Sequence, residues 1–149
     1  MRVLLDTNIV LRYLHKDSES HAEVARAVHS LTTGNNEAVL VPQVLYEYWA
    51  VATRPYGSSN GLSLTTEEAA HTVRLITTRF LCLPDPPELF GTWLDLVTTH
   101  QVSGRPTHDA RLAAAVRVHQ LDALLTLNAP DFKRFGLNVV SPADVTENP

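Results

Sequence analysis

Apolar residues in this chain fall into short unbroken runs separated by stretches with a helical repeat. Val3-Leu4-Leu5 is such a run, closed by Asp6-Thr7-Asn8, three residue types that favour helix caps. It reads as a buried strand delivering a helix N-terminus. A short helix follows over residues 9–15. A longer one over 20–31 carries the stripe Ala22, Ala25, Val28 and Leu31, and Gly34-Asn35-Asn36 stops it. A second buried strand spans 38–41. Pro42 then suits the first turn of a helix running through Val44, Tyr48 and Val51 to about residue 53. Residues 54–61 are too rich in Pro, Gly and Ser for regular structure and form the longest flexible candidate.

The pattern then repeats. Thr65 or Thr66 caps a helix over 67–78, and residues 80–83 make a third strand. Asp85-Pro86-Pro87-Glu88 supplies a cap, a first-turn proline and a glutamate for a helix over 89–99. Residues 103–107 are loop, 108–119 an alanine-rich helix, and 123–126 a fourth strand. Residues 128–135 form a turn with a short helix, 139–140 a brief fifth strand, and the chain from Pro142 onward a tail. Strands that alternate with helices and are apolar on both faces belong to a sheet covered on both sides. The expected class is α/β, a three-layer fold on a central, mainly parallel five-stranded sheet.

Composition narrows the setting. At 149 residues, one domain is expected, with 44% apolar and 19% charged residues as in ordinary globular chains. The lone Cys82 can form neither an internal disulfide nor a thiolate zinc site, so a reducing cytoplasm is the expected compartment. The start turns acidic at Asp6, too early for a secretory leader, and no apolar run nears the ~20 residues of a membrane helix. The net charge of −4 argues against nucleic-acid binding through a globally basic surface. A local rim remains open, and all cations but Lys16 and Lys133 are arginine, the better bidentate partner for phosphate.

The informative feature is where certain acids sit. Asp6 ends the first strand, at the sheet edge where ligands of open α/β folds bind. Glu47 flanks the apolar stripe Val44, Tyr48, Val51, where an unpartnered carboxylate would be costly. Asp109 opens the alanine-rich helix, on one face with Ala113 and Val116, and Asp131 follows the fourth strand. Each alone is explained by capping or turn chemistry. Together they are expected at one sheet edge. Two like charges 4 Å apart repel by about 4 kcal/mol at an effective dielectric of 20, so such a group must protonate or bind a cation. Oxygen donors select Mg²⁺ or Mn²⁺, and the matching chemistry is metal-assisted attack of water on a phosphodiester. Asp95, opposite its helix's apolar stripe, should by contrast be solvated.

Other chemistries lack their motifs. The seven histidines show no i, i+4 pair, the glycines form no phosphate-binding loop, and no serine sits in a G-x-S-x-G turn. A phosphatase using Asp6 as nucleophile stays open, although Asn8 stands where its second aspartate is expected. A binding module whose acids merely cap helices is the non-catalytic alternative. Tyr46 and Trp49 are candidates for a partner face, with core packing the simpler explanation.

Val3-Leu4-Leu5-Asp6-Thr7-Asn8, Glu47, His108-Asp109-Ala110-Arg111-Leu112-Ala113-Ala114 and Leu125-Thr126-Leu127-Asn128-Ala129-Pro130-Asp131-Phe132 together resemble the PIN-domain ribonucleases. Size and single-domain form resemble the VapC-type toxins of toxin–antitoxin pairs. The resemblance covers residues 1–142 as one PIN-like nuclease domain and leaves 143–149 as a C-terminal tail. It implies RNA cleavage dependent on Mg²⁺ or Mn²⁺, a homodimer, and inhibition by a cognate antitoxin. Carried over residue by residue, it makes Asp6, Glu47, Asp109 and Asp131 the catalytic and metal-holding acids, with Asn8, Thr126 and Asn128 as polar supports. Arg54, Arg105, His108, Lys133 and Arg134 are candidate contacts to the RNA. A housekeeping nuclease of the same family, without an antitoxin, is the alternative role. Residues 54–63 are longer and richer in glycine than expected of the smallest members, which bears on substrate choice.

Overall fold

A computed structural model describes residues 1–58 and 60–147. Five strands, β1 (Arg2–Leu5), β2 (Glu37–Leu40), β3 (Leu81–Cys82), β4 (Ala123–Leu125) and β5 (Val139–Val140), form one sheet in the order β3-β2-β1-β4-β5. All four neighbouring pairs are parallel. The helices are α1 (Thr7–Leu14), α2 (His21–Leu31), α3 (Pro42–Ala52), α4 (Thr66–Arg79), α5 (Glu88–Thr99), α6 (Thr107–Val118), α7 (Ala129–Phe132) and α8 (Pro142–Glu147). The expected parallel α/β architecture is what the chain adopts.

The strand order positions the site. The chain moves from β1 outward through β2 to β3, then returns to lay β4 on the other side of β1. The order reverses between β1 and β4, the switch point beyond whose strand ends open α/β sheets bind their ligands. Leu4, Leu5, Leu124 and Leu125 are fully buried beneath it. Ala110, Ala113 and Ala114 are equally buried on α6, where short side chains let the helix approach its neighbours closely.

Three expectations are corrected. The third strand shrinks to Leu81–Cys82, because an edge strand has a single partner, here β2. Asp85 caps nothing: Pro87 occupies the cap position of α5, and Asp85 pairs with Arg111 instead. The segment read as a tail from Pro142 forms α8, which packs on α2 and buries Val145. Ser141 N–H and Oγ–H both donate to Asp144 Oδ2 at 2.7 Å, and the Asp144 N–H returns to Ser141 Oγ. That reciprocal S-x-x-D cap is a helix start signal the sequence carries. Asn148 and Pro149 of that tail, and Ser59 of the 54–61 loop, lie outside the described residues. The loop is tied back to α3, with Ser63 N–H donating to the Arg54 carbonyl at 2.8 Å and Leu64 N–H to that of Ala52 at 2.8 Å. Gly61 is required there, since a Cβ would run into the carbonyls of Arg54 and Pro55.

Candidate active site

Asp6 is held between two strand ends. It caps α1, its Oδ1 accepting the Thr7 N–H at 2.6 Å. Its Oδ2 accepts the hydroxyl of Thr126, the residue after β4, at 2.6 Å and the side-chain amide of Asn8 at 2.9 Å. Asn8 also donates to Thr126 Oγ1 at 3.2 Å and accepts the Leu127 N–H at 3.2 Å. Asn128 takes part through its backbone, its N–H donating to Thr126 Oγ1 at 3.0 Å. Asp6 is only 6% exposed. Burial, reinforced by the charges of Glu47 and Asp109, raises its pKa from 3.8 to about 6, against the pull of the Thr126 and Thr7 hydrogen bonds.

Glu47 reaches the same place from α3. Its Oε2 accepts the Thr7 hydroxyl at 2.6 Å and its Oε1 accepts Gln43 Nε2 at 2.7 Å. Thr7 therefore touches both acids, with its N–H on Asp6 and its hydroxyl on Glu47. Asp109 lies half-buried in the first turn of α6. Burial raises its pKa, and Asp131 and Glu47 push the same way, while His108 and Arg105 draw it back. Asp131 is exposed in α7.

The structure brings the four acids into one electrostatic neighbourhood. The charges of Glu47 and Asp109 act on Asp6, and those of Asp131 and Glu47 act on Asp109. Capping accounts for Asp6 alone, since neither α6 nor α7 has a side-chain cap. Among the described residues, no three His, Cys, Asp or Glu side chains form a ready-made metal cage. Mg²⁺ does not require one, because it keeps several waters and uses one or two carboxylates. Hard oxygen donors, one of them buried and disfavoured in its charged form by its neighbours, suit a hydrated divalent ion.

Of the candidate RNA contacts, Arg105 and His108 stand close enough to act on Asp109. Lys133 and Arg134 follow Asp131 in a 3₁₀ turn, and Arg54 closes the end of α3. Asp95 is exposed, as expected. Tyr46 and Trp49 lie on the surface, 68% and 36% exposed, not in the core. Thr7, Gln43 and Arg111 are site residues that sequence reasoning missed. The available signal was Gln43 one turn before Glu47 on the same flank of an apolar helix.

A parallel sheet covered on both faces, with carboxylates gathered at its switch point, defines an α/β domain with an acidic centre. The PIN domain pattern matches residues 3–137, and the chain belongs to that family. Over 137 residues it is 28% identical to ribonuclease VapC24 of Mycobacterium tuberculosis, across 91% of this chain and 92% of that protein. The VapBC-1 structure from nontypeable Haemophilus influenzae shares the fold at a TM-score of 0.70 and 22% identity, covering 96% of this chain and 99% of that one. A toxin-antitoxin complex from Klebsiella pneumoniae shares it at 0.64 and 20%, covering 94% and 97%. Among the described residues, no helix is long and apolar enough to cross a membrane.

Proposed function

We propose that this chain is a metal-dependent endoribonuclease and the toxin of a toxin–antitoxin pair. The observation that carries the reading is that Asp6, buried and tied across the ends of β1 and β4 by Thr126 and Asn8, feels the charges of both Glu47 and Asp109. Its occurrence in a PIN-domain chain similar to a ribonuclease supports RNA as the substrate.

Asp6 and Asp109 hold the main ion, Mg²⁺ or Mn²⁺. When bound, the ion activates water and neutralises charge on the phosphate. Asp6 suits this task because Thr126 and Asn8 fix its orientation while burial leaves its negative charge poorly solvated. Glu47 and Asp131 hold the attacking water and accept its proton, or hold a second ion. Each Glu47 oxygen already accepts one hydrogen bond, and each keeps a second lone pair for that purpose. Attack by water, and not by the ribose 2′-hydroxyl, leaves 5′-phosphate and 3′-hydroxyl ends. Arg105 and His108 beside Asp109, Lys133 and Arg134 after Asp131, and Arg54 contact the RNA phosphates. They offset locally a net charge of −4.

A cognate antitoxin is the expected partner, supported by the shared fold with a toxin-antitoxin complex. Exposed Tyr46 and Trp49 on α3 support a homodimer. The cytoplasm is the expected site of action. Cleavage of RNA by Asp6→Asn and Asp109→Asn proteins tests the catalytic reading: both should lose activity in the presence of Mg²⁺. Full activity in both would remove these residues from catalysis. A small DNA-binding protein encoded next to this chain would favour the toxin role over a housekeeping nuclease.

A further inference from the structure

Gln43 is a neutral amide only 5% exposed, and the proposed chemistry makes no use of it. Its Nε2 donates to Glu47 Oε1 at 2.7 Å and to the His108 carbonyl at 2.9 Å. Its Oε1 accepts Arg111 Nη1 at 2.9 Å, and Arg111 Nη2 donates to Asp85 Oδ2 at 2.6 Å. The amide therefore has one permitted orientation. Reversed, its carbonyl would face two acceptors and its NH₂ would face a guanidinium. Arg111 sets that orientation, and Asp85 fixes Arg111 by the other arm of its fork. A lysine at 111 could not span both partners in the same geometry.

The consequence falls on Glu47. Thr7 holds one of its oxygens and Gln43 the other, so rotation of the carboxylate is blocked. The same amide nitrogen holds the backbone of His108, the residue before Asp109. One side chain on α3 thus hydrogen-bonds both Glu47 and the first turn of α6. Asp85 and Arg111 of this relay also line a groove of about 400 Å³ with Phe90 and Trp93.

We propose that Gln43, oriented by Arg111 and Asp85, is the positioning residue that aims Glu47 at the site it shares with Asp6 and Asp109. The kinetic part of this inference rests on the nuclease reading above, and the structural part does not. Gln43→Met fills the same space without donating a hydrogen bond. It should lower kcat by about 10–100-fold with KM nearly unchanged, and the folded protein should melt below the parent because Glu47, the His108 carbonyl and Arg111 each lose this partner. Because Gln43 acts through Glu47, the Gln43→Met/Glu47→Gln pair should cut RNA no more slowly than Glu47→Gln alone. A double variant slower by the whole Gln43→Met factor, or a Gln43→Met protein with parental kcat, would overturn the inference. Should Gln43→Met not fold, Arg111→Lys, which keeps the charge at a side chain 30% exposed, should lower kcat in the same manner, and parental kcat there would overturn it.

The structural arm uses the full chain labelled with ¹⁵N and free of metal. The two Gln43 side-chain amide protons should be separately resolved, slow to exchange, and shifted in both Glu47→Gln and Arg111→Lys. An amide exchanging as freely as one in solvent overturns the inference even if RNA is cut. A protected amide that responds to both substitutions, in a protein that cuts no RNA, supports the positioning geometry and rejects the nuclease reading alone.

Discussion

At neutral pH the folded chain carries an ionised Asp6 that its surroundings disfavour. The pKa of about 6 stands above the ordinary 3.8, so between those values the folded chain holds a proton that the unfolded chain has released. Stability therefore falls as pH rises through that window and levels off above it. At ~1.36 kcal/mol per pH unit, the gap amounts to about 3 kcal/mol at pH 8. Asp6→Asn keeps the shape and is neutral at every pH. Its carbonyl can still accept the Thr7 N–H, but its NH₂ turns toward Asn8 and Thr126, at a cost of about 1–2 kcal/mol. The variant should thus be the more stable protein at pH 8 without metal, by about 1–2 kcal/mol. For a chain of this length that is a rise of about 2–8 °C in Tm. Thermal unfolding followed by circular dichroism in EDTA, at pH 8 and again at pH 4, measures it. At pH 4 folded wild-type Asp6 is largely protonated, little of the charge penalty remains, and the advantage should pass to the wild type. A variant less stable than wild type at pH 8, or a difference that does not change with pH, would refute the reasoning. The site would then not be strained by its own charge.

Three shorter predictions follow from the same geometry. Thr126→Val removes the hydroxyl that donates to Asp6 and accepts from Asn8 and Asn128, and should cost about 1–3 kcal/mol in denaturant unfolding at pH 8. Ala113→Leu overfills the fully buried face of α6; it should cost about 1–3 kcal/mol and, by displacing Asp109, depress RNA cleavage beyond what its folded fraction explains. Trp49→Glu places a charge on the exposed face of α3 and should convert a sedimenting dimer to a monomer, whereas a wild-type protein that sediments as a monomer would count against that face.

Where one element decides its own conformation, the sequence was informative. The cores of β1, β2 and β4 are apolar on both sides, and no amphipathic element fits such runs. Thr65 and Glu68 form the reciprocal cap their spacing promises. Asp6 could be singled out because it follows a buried strand, and Glu47 because it borders an apolar stripe. What stayed hidden depends on partners far along the chain. Thr7 looked like part of a cap until α3 brought Glu47 to it, 40 residues away. Gln43 and Arg111 are 68 positions apart, and nothing in either segment announces the pairing. Local rules assign Asp85 to its own helix, yet Pro87 takes the cap position and Asp85 pairs with Arg111, 26 residues along the chain. The third strand lost residues for the opposite reason, having only β2 to pair with at the sheet edge.

The central claim is that Asp6 and Asp109 lie in one site whose charge a divalent ion relieves. Calorimetric titration of Mn²⁺ into the wild-type, Asp6→Asn and Asp109→Asn proteins, without RNA, tests it directly. The wild type should bind, and each substitution should weaken binding by about tenfold or more. A wild type that takes up no Mn²⁺, or one whose affinity neither substitution alters, would contradict the account.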